Sequence, residues 1–170
     1  MDALIAEVEP LIPSLRRYAR GLVRDASAAD DLVQDALERA ISRWGQRRGE
    51  TRPWLYAIVH NLAVSHGRGL QRRGVHALLD DTPETALAQA PLQESTLRHA
   101  DILAAVDGLP DEQRSVVLLV SVEGLEYAEA AQVLGVPIGT VMSRLSRARD
   151  RLRRALDTEA PVTPRLRRVK

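Results

Sequence analysis

Between Ile138 and Arg154 the sequence places six arginines (Arg144, Arg147, Arg149, Arg151, Arg153 and Arg154) against one acid, Asp150. A guanidinium is always charged and presents a planar fork of donors that matches phosphate oxygens and base edges. A net excess of five positive charges therefore suits contact with a polyanion, and Thr140 and Ser143 add small hydroxyl donors at the start of the same stretch. A second set has the opposite sign: from Asp25 to Glu38 there are five acids and no base. Such a run repels nucleic acid and favours a basic protein surface. A third set is basic again, with no acid from Thr51 to Leu79 and the flat side chains Trp54 and Tyr56 near its start. The whole chain carries 24 basic and 23 acidic residues, a net charge of +1, so the charges are segregated along the sequence rather than in excess.

Nothing in the sequence sets up catalysis. The histidines His60, His66, His76 and His99 are scattered, without a metal-ligand spacing such as HExxH. There is no GxxxxGK[ST] loop and no glycine-rich nucleotide fingerprint. With no cysteine, disulfides and thiolate metal sites are excluded. We expect no enzymatic activity, no cofactor and no metal.

The elements that must carry these sets read as helices. Hydrophobic residues are 45% of the chain and charged residues 28%, a balance that suits a folded protein. Aromatics are 3% and Phe is absent, so the core falls to Leu, Val, Ala and Ile. Apolar residues recur at helical spacing almost throughout, with no run of period two. A first helix, with a bend at Pro10 and Pro13, carries Leu11, Leu15, Tyr18, Ala19 and Leu22. A second starts at Ser27, with Asp30 three residues on as an approximate capping box, and runs through Val33, Leu37, Ala40, Ile41 and Trp44. Its inward face is Val33, Ala36, Leu37, Ala40 and Ile41, and the opposite side carries Asp31, Gln34, Asp35 and Glu38.

A third helix starts near Thr51 and Pro53 and carries Leu55, Ile58, Val59 and Leu62 on one face. Trp54, Ala57, Asn61, Ser65, Arg68 and Arg72 line the other. Gly67 and Gly69 each cost about 0.5–1 kcal/mol against Ala in a helix, so the helix is expected to end or fray there. Residues 75–94, with Pro83, Pro91, Asp80, Asp81 and Glu84, read as a flexible acidic linker. The expected organisation is all-α: a helical domain over 1–74, the linker over 75–94, a second helical domain over 95–158, and a basic tail over 159–170.

In the second domain a helix carries Leu97, Ile102, Leu103 and Val106, Gly108 closes it, and Pro110 opens the next. A short helix from Tyr127 to Leu134, the turn Gly135-Val136-Pro137 and a long helix from Ile138 form the plan of a helix-turn-helix. On the long helix Ile138, Val141, Met142, Leu145, Ala148, Leu152 and Leu156 make one apolar stripe. The arginines then share a solvent face, with N-terminal residues placed for base edges and flanking ones for phosphates.

With VPIGTVMSRLSRARDRLRRAL preceded by LPDEQRSVVLLVSVEGLEYAEAAQVLG, the chain resembles the sigma factors of bacterial RNA polymerase, in particular the small extracytoplasmic-function class. DDLVQDALERAISRW is similar to the polymerase-binding helix of that class, and RPWLYAIVHNLA to the segment that melts and reads the minus-10 element. The resemblance implies a protein that binds core polymerase and directs it to promoters. It assigns the minus-35 element to Thr140, Ser143, Arg144, Arg147 and Arg151. It assigns the minus-10 region to Arg47, Arg48, Trp54, Asn61, Arg68, Arg72 and Arg73, with Tyr56 a further stacking candidate. Asp31, Gln34, Asp35 and Glu38 would meet the clamp coiled coil of the largest polymerase subunit, with the flap a further contact. Promoter DNA and an anti-sigma factor are the other expected partners.

Two other readings follow from the same residues. One is a sigma mimic that sequesters an anti-sigma protein; such mimics carry a receiver domain and need no arginine-rich reading face. The other is an autonomous helix-turn-helix regulator. No run of about 18 apolar residues is present and the start, MDALIAEVEP, is acidic, so a cytoplasmic protein without a membrane span is expected.

Overall fold

The computed structural model describes residues 2–72 and 94–159. The expected linker up to residue 93, Arg73, the tail from 160 on and the side chain of Leu97 lie outside the described residues, while Glu94, read as the end of the linker, opens a helix. Every element described is helical: α1 (Asp2–Val8), α2 (Ile12–Val23), α3 (Ala26–Arg43), α4 (Thr51–Arg72), α5 (Glu94–Asp107), α6 (Asp111–Val117), α7 (Tyr127–Leu134) and α8 (Ile138–Glu159). Short 3-10 turns follow α1 and α3, and a π-helical turn, Leu118–Val122, continues α6.

Proline shapes the first bend as expected. Pro10 sits in the 3-10 turn and Pro13 in the first turn of α2, where a missing N–H costs nothing. Leu15, Tyr18 and Ala19 of α2 are fully buried. The start of α3 differs from the sequence reading. Its cap is Asp25, whose carboxylate accepts from the Ala28 N–H at 2.6 Å, so Ser27 lies inside the first turn. Asp30 is turned instead to Arg20, at 3.3 Å; a carboxylate gains more from a guanidinium than from a second capping bond. The inward face of α3 is also rotated. Ala29, Leu32, Val33, Ala36 and Ala40 are buried, while Ile41 is 53% exposed.

Helix α4 runs through both glycines to Arg72, so the expected end at Gly67 and Gly69 is not found. Its N-terminal half supplies Leu55, Tyr56, Val59 and Leu62 to the core, and that packing outweighs a glycine penalty of about 1 kcal/mol. Tyr56 is fully buried, in edge-to-face contact with Tyr18 at 5.3 Å, which removes it as a base-stacking side chain.

In the second half, α6, the π turn, α7 and α8 bury Val116, Leu119, Leu125, Ala130, Val133, Val141, Leu145 and Ala148. Each buried Leu or Val is worth about 1.5–3 kcal/mol over an exposed one. The apolar stripes are narrower than the sequence suggested: Ile102, Leu103, Ile138 and Met142 are all exposed. Gly135 closes α7 at φ 63°, a left-handed conformation that glycine adopts without a Cβ penalty. It sets α8 across α7. The buried residues of the two halves join in one apolar cluster, because α7 packs along α4 and α6 along α2.

Candidate nucleic-acid interface

The helix-turn-helix is built by caps at both ends of α7. Glu126 opens it, and the Glu129 carboxylate accepts the Glu126 N–H at 2.7 Å, closing a capping box. Glutamate, a weaker cap than Ser or Thr, is rescued here by that reciprocal bond. On α8, Val141, Leu145 and Ala148 are buried and Ser143, Arg147 and Arg151 are exposed. These three, with the half-buried Thr140, present one hydroxyl-and-guanidinium face. Arg144 departs from the face read in the sequence. Its side chain is only 20% exposed and its Nη2 meets Glu112 Oε2 at 2.9 Å. It lies in a groove of about 620 Å³ shared with His60, Asn61, Val64 and Arg68 of α4.

On α4, Asn61, Ser65, Arg68 and Arg72 are exposed as expected. Trp54 is half-buried and packs edge-to-face on Trp44 at 6.1 Å. Arg47 covers the other ring, its guanidinium 4.5 Å from the Trp44 centroid, and holds Glu7 Oε2 at 2.7 Å. Thr51 also donates to Glu7. The loop after α3 is thus anchored to α1 by one carboxylate, leaving Arg48 exposed. Arg47, Trp44 and Trp54 form a cation–π shelf, so Arg47 and Trp54 are held by protein contacts while Arg48 is outward.

The acidic face of α3 is open. Asp31, Gln34, Asp35 and Glu38 are all exposed, and Gln34 Nε2 donates to Glu38 Oε1 at 3.2 Å. Ile41 continues the same side of the helix, adding an apolar spot at the end of an anionic stripe.

A group that sequence reasoning missed sits between the halves. Glu123 is 6% exposed. Its carboxylate accepts from Arg17 Nε at 2.8 Å and Nη2 at 2.6 Å, a bidentate pair. It also accepts the Tyr56 hydroxyl at 3.0 Å, and its backbone carbonyl accepts from Arg52. The bond to Glu123 raises the Arg17 pKa, and burial pushes the Tyr56 hydroxyl up to about 12. Nearby, the Tyr18 hydroxyl and His60 Nδ1 share a hydrogen bond of 3.0 Å. Burial, with the Arg144 charge second, lowers the His60 pKa. A lone acid after the run SVVLLVSV was the only signal for Glu123, and its partners are 67 and 106 residues away. Among the described residues no cluster of three or more candidate ligands could hold a metal ion. None of their helices is long and apolar enough to cross a membrane.

A helix-turn-helix with a basic face, joined to a helical half with an anionic one, defines a DNA-reading protein with a protein partner. Comparisons with known proteins make this specific. Residues 99–152 match the family model for Sigma-70, region 4, and residues 8–60 that for the Sigma2 domain of PhyR. The ECF RNA polymerase sigma factor EcfG of Rhodopseudomonas palustris is 37% identical over 153 residues, covering 89% of this chain and 83% of its own. The RNA polymerase sigma-H factor of Pseudomonas aeruginosa is 33% identical over 152 residues, covering 79% and 76%. Among solved structures, the sigma factor RpoE of Bartonella quintana, in complex with the anti-sigma factor NepR, superposes with a TM-score of 0.78. It is 30% identical and covers 94% of this chain and 99% of that one. CnrH in complex with the cytosolic domain of CnrY gives a TM-score of 0.69 at 25% identity, covering 94% and 90%. The chain belongs to the extracytoplasmic-function sigma factors of RNA polymerase.

Proposed function

We propose that this protein binds core RNA polymerase through the anionic face of α3 and directs it to promoters read by α8 and α4. Asp31, Gln34, Asp35 and Glu38 would engage the clamp coiled coil of the largest subunit, and the second half would meet the flap. Thr140, Ser143, Arg147 and Arg151 would face the minus-35 element, joined by Arg144 once it leaves Glu112. Arg48, Asn61, Arg68, Arg72 and Arg73 would follow the minus-10 strand, with Arg47 and Trp54 supplying the shelf beside it. The division of labour follows residues 1–74 and 95–158. The chemistry of RNA synthesis is the polymerase's, and an anti-sigma protein is an expected partner, by likeness to the RpoE relative solved in complex with the anti-sigma factor NepR.

The observation that carries this reading is the separation of charge onto opposite elements: an exposed anionic α3 and exposed cations on α4 and α8. Run-off transcription with purified core polymerase over a genomic fragment library tests it. Promoter-dependent transcripts are expected, and their absence across the library would overturn the reading.

One observation favours a second reading. The model matched by residues 8–60 is the Sigma2 domain of PhyR, and PhyR of Bartonella quintana is described as an anti-anti-sigma factor complexed with NepR. At 19% identity that likeness concerns the fold alone. A mimic would co-purify with an anti-sigma protein and never with polymerase.

A further inference from the structure

Away from the seam where Glu123 joins the two halves, a single oxygen of α1 governs the loop between α3 and α4. Glu7 Oε2 accepts from Arg47 Nη1 at 2.7 Å and from the Thr51 hydroxyl. Arg47 begins the loop after the 3-10 turn and Thr51 opens α4, so both ends of the loop are tied to one atom. A second restraint acts on Arg47: its guanidinium sits 4.5 Å from the Trp44 centroid, and Trp44 packs on Trp54. Between the ties Arg48, Gly49 and Glu50 are all exposed. Gly49 takes φ 80°, and a Cβ there would meet nothing within 4 Å. Glycine turns the chain at the tip without strain, and the space around the tip is open.

Helix α1 does not need Glu7 to stay in place. Its Leu4 and Val8 are buried in the apolar core. The Glu7 side chain is 45% exposed, and an ion pair so placed adds little to stability. What it determines is where Arg47 and Thr51 stand.

We propose that Glu7 is a positioning residue for minus-10 recognition: without touching DNA, it holds the Arg47–Thr51 loop in the shape that presents Arg48 and the open tip at Gly49 to the melted strand. This rests on the sigma-factor reading above. A loop ordered beforehand spares the cost of ordering it on binding. Charge alone predicts the opposite sign. An acid beside a polyanion repels it, so losing Glu7 would by electrostatics strengthen binding. A fall in affinity when the acid is removed is therefore the signature of positioning.

Holoenzyme is assembled from core polymerase and the full chain as parent, Glu7→Ala, Glu7→Gln or Glu9→Ala. A promoter found with the parent in the run-off library supplies two fluorescent probes. One is the single strand carrying its minus-10 element, the other a duplex carrying only its minus-35 element. Glu7→Ala should weaken strand binding about fivefold, the cost of ordering one or two side chains on binding. Glu7→Gln keeps an acceptor oxygen without the charge and should lose less, about twofold. Glu9→Ala removes an equal charge from the turn after α1 and should weaken neither probe. The minus-35 duplex should bind parent and Glu7 variants alike. Abasic sites placed one at a time along the strand should cost the parent most at one position, and cost Glu7→Ala less at that same position. Strand affinity unchanged or raised in Glu7→Ala, an equal loss on both probes, or an abasic profile identical to the parent's would each overturn the proposal. Circular dichroism and co-elution with polymerase check folding; should Glu7→Ala unfold, Glu7→Gln binding the strand as tightly as the parent would overturn it instead. A parent that yields no promoter-dependent transcript overturns the sigma-factor reading, and this one with it.

Discussion

Tyr56→Phe removes one oxygen from the seam and nothing from its packing, since the ring keeps its edge contact with Tyr18. The lost bond, at 3.0 Å to a buried carboxylate, belongs to the class worth about 1.5–3 kcal/mol. Arg17 still saturates both carboxylate oxygens, so the loss should fall at the lower end, about 1.5 kcal/mol. The same hydroxyl ties stability to alkaline pH. Burial first, and the Glu123 charge with it, holds the Tyr56 pKa at about 12 in the fold, against about 10 in an unfolded chain. The folded state therefore keeps a proton that the unfolded state gives up. Its contribution is whole below pH ~10 and drains away as pH rises through ~12, by about 1.4 kcal/mol per unit of difference. Urea unfolding followed by circular dichroism at neutral pH and at steps above pH ~10 measures both effects. The variant should be less stable at neutral pH and lose less on the way up. Equal neutral stability of the two proteins, or parallel alkaline loss, would show that the hydroxyl is not held by Glu123 as described.

Two paired substitutions separate the proposed surfaces. Arg144→Ala with Arg147→Ala should cut run-off transcript about tenfold or more, as expected for losing contacts worth about 1–3 kcal/mol each, while co-elution with core polymerase is kept. Asp31→Ala with Gln34→Ala should weaken co-elution itself; loss at the same step by both pairs would end the assignment. On the acid side, His60 is neutral in the fold because burial and then Arg144 lower its pKa. That contribution is complete above pH ~6.5 and is lost as pH falls below it. The groups around it are Tyr18 on α2, Arg68 on its own helix, Arg144 on α8, and Asp111, Glu112 and Arg114 on α6. His60→Gln should therefore flatten the fall in melting temperature between pH ~7 and ~5, and an unchanged slope would show that His60 does not carry that fall.

Local signals were read well and distant pairings were not. The bounds of α7, the Gly135 turn and the start of α8 follow from spacing and from one glycine at positive φ. The rotation of α3 was missed because two faces of a helix rich in alanine are nearly equal in hydrophobicity; tertiary packing chose Ala29 and Leu32 over Ile41. The run of α4 through Gly67 and Gly69 was missed because propensity is a weak prior once one face is buried. Arg144 sits at the right helical position for the solvent face, yet Glu112 and the nearness of α4 fold it inward. The place of Glu123 could not be read at all, since its partners come from helices far away in sequence.

The π-helical turn gives that carboxylate its aim. Such a turn is an α-helix with one residue too many, and here the Glu123 N–H reaches back to the Leu118 carbonyl at 2.9 Å. Winding Leu118–Val122 as ordinary α-helix with no residue removed would instead carry everything after it round the axis by about 100°. Glu123 would then point away from Arg17 with every side chain of the seam still present. How the two halves meet is thus set by the one residue that this turn absorbs, a matter of winding along a single helix and not of which side chains face each other.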